Sequence, residues 1–187
     1  GTDGPGIPES QLFGRIAVQA GFDVIFTSGF FKKIPDPYLP LAPLGFYGFH
    51  ETDLPEGKGH APLAWTLIRG ESHMTVTLFR FTPEIDSGPV VRKMKRRIRR
   101  SDTMRNLQAA RIEMIRTMLL DSVATLVRLN KTSLLNGRPL RMLPERKQHG
   151  KGSYYPRRAP ADSRIDPSKS LTRQWDLLRA CDSDAYP

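Results

Sequence analysis

The chain has 187 residues, enough for one domain or one domain with an appendage. At 39% hydrophobic residues it can bury a core, yet it holds no apolar run approaching the roughly 18 residues that a membrane span needs. A single cysteine, Cys181, excludes an internal disulfide framework and any Cys-x-x-Cys metal site. The net charge of +10 and sequence pI near 10.1 invite a polyanionic partner, such as tRNA, DNA or a nucleotide-linked substrate.

In chain order, residues 1–20 form a poorly defined segment without the basic and apolar regions of a signal peptide, so a soluble, cytoplasmic protein is expected. Phe22 to Gly29, apolar and β-branched, predicts a short buried strand. The proline-rich stretch after it predicts a loop, with one helical turn around Pro37 to Leu41. Phe46 to His50 predicts a second strand ending at the histidine. Pro62 and Gly70 bracket a short helix, by the usual asymmetry of proline at the start and glycine past the end. Met74 to Thr82 alternates as a strand. The acidic turn PEIDSG then leads into another strand, PVVRKMKRRI.

Ser101 and Asp102 offer an N-cap to a long helix. Its expected apolar face holds Met104, Leu107, Met114, Ile115, Met118, Leu119, Ser122, Val123, Leu126 and Val127. Asn136-Gly137 marks a turn, and a polar, basic tail follows, with a short amphipathic piece from Leu171 to Ala180. The expected division is a core over residues 21–135 and a basic linker or C-terminal extension over 136–187. Strands alternating with helices suggest an α/β sheet with helices on its faces, which binds ligands outside the carboxyl ends of its strands. His50 and the turn holding Asp86 are both expected at such ends.

Two basic clusters stand out. Arg92 to Arg100 holds seven basic residues in nine, and Arg138, Arg141, Arg146, Lys147 and Lys151 form the second. Such runs are either solvated faces or a phosphate-binding surface. Alone, His50 reads more readily as a hydrogen-bonded structural residue than as a catalyst, and Asp86 as the first polar residue of a plain turn.

Together they carry a longer pattern, HETDLPEGKGHAPLAWTLIRGESHMTVTLFRFTPEIDSGP. It contains His50, Thr52, Leu54-Pro55, Lys58-Gly59, Pro62 with Trp65, Gly70-Glu71, Val76-Thr77-Leu78, and Asp86 with Gly88. His50 and Asp86 lie 36 residues apart. This block resembles the folate-dependent formyltransferase family, which includes methionyl-tRNA formyltransferase, glycinamide ribonucleotide formyltransferase and the formyltransferases of nucleotide-linked amino sugars. The downstream YYPRRAPADSRID is similar to a segment of the amino-sugar enzymes. Gly48 departs from the family pattern, which has Asn two residues before the histidine. The chain before residue 20 is too short for the family's opening half-sheet, and the tail would lead towards a C-terminal β domain.

The resemblance implies a Rossmann-like formyltransferase fold, here a partial sheet with flanking helices. It implies transfer of a formyl group from 10-formyltetrahydrofolate to a primary amine, without a metal. His50 would donate to the oxyanion and Asp86 would act on the amine's proton, with Gly48 standing where the second donor is expected and Thr52 as a substitute support. Phe30, Phe31, Ile34, Thr82, Glu84 and Ile85 would form the folate pocket. Lys58 and His60 would meet substrate phosphate; His73 is given no role. The acceptor would be a nucleotide-linked amino sugar or, alternatively, methionyl-tRNA. An inactive relative that binds folate or a partner is the third expectation, and a homodimer is compatible with the family.

Overall fold

The computed structural model describes residues 21–29, 34 and 36–183. Four strands form one sheet in the order β1-β2-β4-β5: β1 (Ile25–Ser28), β2 (Phe46–His50), β4 (His73–Arg80) and β5 (Val90–Arg97). Only β1 and β2 run parallel, with Ile25 opposite Phe46 and Thr27 opposite Gly48. β2 and β4 are antiparallel, pairing His50 with Thr77 and Tyr47 with Arg80. A second, two-stranded sheet joins β3 (Lys58–Gly59) to β6 (Tyr154–Tyr155) in parallel.

The helices are α1 (Pro62–Ile68), α2 (Met104–Asn136) and α3 (Leu171–Ala180), with 3-10 turns at Asp36–Leu41 and Pro160–Ser163. Each boundary has a local cause. Pro62 sits in the first turn of α1, and Gly137 ends α2 at φ 63, a left-handed conformation that favours glycine. The cap of α2 is Thr103 rather than Ser101 or Asp102. Its backbone N–H donates to Asn106 Oδ1 at 2.9 Å. Asp102 instead closes the preceding turn, accepting from the Arg99 N–H at 2.9 Å.

Met74, Val76 and Leu78 of the central strand β4 meet Leu63 and Leu67 of α1 and Leu107, Met114 and Met118 of α2 in one core. Leu67, Met74, Val76, Leu78, Leu107 and Met118 are fully buried, each worth roughly 1.5–3 kcal/mol against exposure. α3 packs on α1. The apolar face of α2 differs from expectation at Val123 and Val127, which are exposed. The buried row steps by four, through Met118, Ser122, Leu126 and Asn130, and leaves Val123 and Val127 about a quarter-turn away.

The antiparallel pairing also corrects the expectation for Asp86. β4 ends beside the start of β2, so its carboxyl end points away from His50. The loop of residues 81–89 folds back to bring Asp86 across. Gly88 makes this possible by lying so close to the strand that a Cβ there would be 1.7 Å from the Arg80 carbonyl oxygen.

Much of the basic run on β5 is neutralised within the fold. Arg92 pairs with Asp121, Lys93 and Lys95 both reach Asp53, and Arg96 pairs with Asp102. Burial opposes ionisation of Asp53, but hydrogen bonds and charge from the two lysines outweigh it and hold its carboxyl below the usual range. Among the described residues, no helix is long and apolar enough to cross a membrane.

Candidate active site

β2 delivers His50 to the wall of a cavity of about 960 Å³. His50 is 6% exposed. Its Nε2 lies 2.8 Å from the carbonyl oxygen of Gly57. A carbonyl only accepts, so Nε2 carries the hydrogen. Gly57 can offer that carbonyl because its φ is +68 and a Cβ would lie 2.7 Å from both Thr52 and Tyr155. The other nitrogen, Nδ1, stands 3.9 Å from Asp86 Oδ2. This exceeds a direct hydrogen bond and leaves both groups open to a ligand.

Asp86 has a left-handed backbone, φ 51, one of two non-glycine residues so placed among those described. Aspartate tolerates that region better than most residues, and such conformations gather at functional turns. Three contacts hold the turn. Asp86 Oδ2 accepts from the Gly59 N–H at 2.8 Å. Gln148 Nε2 donates to the Asp86 and Gly88 carbonyls at 2.9 and 2.8 Å. Lys58 Nζ donates to Ser87 Oγ at 2.8 Å.

Ile34, His60, Thr82, Glu84 and Ile85 line the same cavity as His50 and Asp86. Three other expected residues lie elsewhere. Lys58 clamps the loop through Ser87 instead of facing the cavity. Thr52 is buried beneath its turn, its carbonyl accepting from Thr77 Oγ1 at 2.6 Å. Gly48 is covered by the ring of Phe81: a Cβ there would sit 2.3 Å from one ring carbon and 2.5 Å from another. The space of a missing side chain is thus filled by an aromatic ring, which itself lines the cavity. Phe30 and Phe31 lie outside the described residues.

Sequence reasoning missed several cavity residues. Glu51, next to His50, forms an ion pair with Arg111 of α2, whose Nη2 donates to Ser28 Oγ at 3.1 Å. Tyr154, Arg157 and Arg158 come from the tail. Only adjacency to His50 could have flagged Glu51; the three tail residues lie in the YYPRRAPADSRID segment, whose resemblance was the one signal for them. Beneath the tail, Tyr155 is buried and its hydroxyl donates to Glu71 at 3.1 Å. Burial, followed by the negative charge of Glu71, pushes that hydroxyl up to about 12. Among the described residues, no group of three or more His, Cys, Asp or Glu side chains is placed to hold a metal ion.

A mixed α/β sheet with flanking helices, carrying a histidine–aspartate pair at a cavity, makes a Rossmann-like architecture. The family model described as formyl transferase matches residues 11–123, more than half of the chain. The chain belongs to the formyl transferase family. Among solved structures it is similar to methionyl-tRNA formyltransferase from Clostridium thermocellum, with a TM-score of 0.66 and 24% identity over 88% of this chain. It is also similar to WlaRD, a sugar 3N-formyl transferase solved in the presence of dTDP and 5-N-formyl-THF, with a TM-score of 0.63 and 20% identity over 87% of this chain. A 4-N formyltransferase from Francisella tularensis matches 96% of the chain at 16% identity and a TM-score of 0.66, with 69% of its own length covered. The chain spans 64% of the length of the Clostridium enzyme and 55% of that of WlaRD.

Proposed function

We propose that the cavity is a formyl-transfer centre, moving the formyl group of 10-formyltetrahydrofolate to a primary amine, most naturally that of a nucleotide-linked amino sugar. The observation that carries this reading is the meeting of His50 and Asp86 at 3.9 Å on the cavity wall, each held by backbone from the 57–59 turn. The acceptor nitrogen attacks the formyl carbon, and the bond to the folate nitrogen breaks as that nitrogen regains a proton. With Nε2 committed to Gly57, His50 faces the reaction through Nδ1. Nδ1–H donates to the developing oxyanion when the ring is charged, with Asp86 beside it to balance that charge. Asp86 Oδ1 has no partner among the described residues and receives the amine's proton, directly or through water. A preorganised donor in a water-poor site is the strongest single source of such catalysis.

The sugar acceptor is favoured over tRNA because four of the seven basic residues of the 92–100 run already have carboxylate partners. Gly48 with Phe81 over it supports the alternative of an inactive folate-binding relative, since β2 offers no second donor. Loss of one such donor costs on the order of 10²–10³ in rate in a well-studied hydrolase.

Calorimetric titration with 5-formyltetrahydrofolate, a stable donor analogue, tests the pocket; a formyl-transfer assay with amino-sugar nucleotides tests the chemistry. Folate binding by the wild type, with transfer abolished in His50→Ala and Asp86→Asn, is the expected result. A folded chain that binds no formylfolate refutes the reading. Binding with no transfer to any amine selects the inactive relative.

A further inference from the structure

His50 and Asp86 hang from one turn, and a single residue of the tail holds that turn. The Gly57 carbonyl accepts from His50 Nε2 at 2.8 Å, and the Gly59 N–H donates to Asp86 Oδ2 at 2.8 Å. From the other side, the Gly57 N–H donates to Ser153 Oγ at 2.9 Å and the Lys58 N–H donates to Ser153 O at 3.0 Å. The Ser153 hydroxyl is itself oriented. It donates to Glu56 Oε2 at 2.5 Å and so keeps a lone pair for Gly57.

These bonds aim the carbonyl that His50 meets. The N–H and C=O of a trans peptide point opposite ways, so anchoring the Lys58 N–H on Ser153 turns the Gly57 carbonyl towards the imidazole. Gly57 sits at φ +68, and a glycine peptide reorients at little steric cost, so its direction has to come from its partners. Gly152 lets the tail approach: a Cβ there would lie 2.3 Å from the Pro55 carbonyl oxygen. From there β6 pairs with β3, Lys58 opposite Tyr154 and Gly59 opposite Tyr155. Ser153 is exposed and does not line the cavity.

We infer that Ser153 is a positioning residue: by fixing the 57–59 turn it holds His50 as the Nε2–H tautomer, with Nδ1 left facing Asp86. The consequence for rate rests on the reading of the cavity as a formyl-transfer centre, whereas the tautomer is a property of the free protein. Removing the hydroxyl leaves the N–H of the buried Gly57 without its acceptor. The turn relaxes, and the carbonyl that selects the tautomer loses its aim.

The test is nuclear magnetic resonance of the full chain carrying 15N-labelled histidine, where long-range proton–nitrogen correlations tell the two neutral tautomers apart. The His50 signal is the one lost in His50→Gln. The wild type is expected to be predominantly Nε2–H. Ser153→Ala shifts the tautomer ratio towards Nδ1–H by roughly two- to tenfold, the worth of one hydrogen bond, and Ser153→Thr, which keeps the hydroxyl, restores it. Trp65→Phe removes a different tail bond, from Trp65 Nε1 to Pro156 O, and leaves the ratio unmoved. In a transfer assay Ser153→Ala lowers kcat by a similar factor and leaves the KM for the formylfolate donor unchanged.

An unmoved tautomer in Ser153→Ala overturns the inference, and so does a failure of Ser153→Thr to restore the ratio. An equal shift in Trp65→Phe overturns it in favour of tail docking at large. Transfer at the full rate by Ser153→Ala overturns the positioning role and leaves the transfer centre standing. A tautomer shift in a chain that passes formyl to no amine upholds the role and refutes the transfer centre.

Discussion

Gly48 offers the sharpest test of the geometry around the histidine. An added Cβ would lie 2.3 Å from Phe81 Cε1 and 2.5 Å from Cζ, well inside contact distance. Phe81 has little room to retreat: its N–H is bonded to Phe46 O at 2.7 Å, and its ring packs edge-on against Phe79 at 5.3 Å. Gly48→Ala is therefore an overpacking substitution, expected to cost about 1–3 kcal/mol. For a chain of this length that lowers Tm by roughly 2–12 °C. In a Phe81→Ala background the clash is gone, and alanine within a strand is better than glycine by about 0.5–1 kcal/mol. The sign reverses there, giving a coupling energy of roughly 1.5–4 kcal/mol in a double-mutant cycle. Urea unfolding of the four proteins measures it. An equal cost of Gly48→Ala with and without the Phe81 ring would refute the argument that this ring occupies the side-chain space at position 48.

Two further outcomes follow from particular contacts. Gln148→Ala removes both hydrogen bonds that staple the Asp86 turn; a loss of about 1–2 kcal/mol is expected from the two bonds. Formylfolate affinity should fall with it, while far-ultraviolet circular dichroism stays unchanged; an unaltered affinity would show that the turn holds itself. Tyr155 ionises near its ordinary value of 10 when unfolded and at about 12 when folded. Its stabilising effect is therefore complete below pH 10 and is lost as the pH rises towards 12. Stability against pH should fall more steeply over that window in the wild type than in Tyr155→Phe, and parallel curves would sink the assignment.

Local chemistry was sufficient for the strand Phe46–His50, the 3-10 turn Asp36–Leu41, the helix from Pro62 and the left-handed stop at Gly137, because each depends on residues within a few positions of itself. The α2 face was legible in its first half and misread at Val123 and Val127. A 33-residue helix meets different neighbours along its length, and periodicity alone does not name them.

The amino-acid sequence by itself determined the family, through an unbroken pattern from His50 to Asp86, and singled out those two side chains as the pair to examine. Proline, glycine and β-branched spacing did the same for most element boundaries. Tertiary structure alone decided that the 81–89 loop folds back across an antiparallel strand, that Phe81 fills the gap at Gly48, and that β5's positive charges are largely spent on Asp53, Asp102 and Asp121. It also decided that Tyr154 pairs with Lys58 and so reaches the cavity. The reason is range: propensity and capping act over a turn of chain, whereas these contacts join segments tens of residues apart and exist only once the sheet and helices have packed.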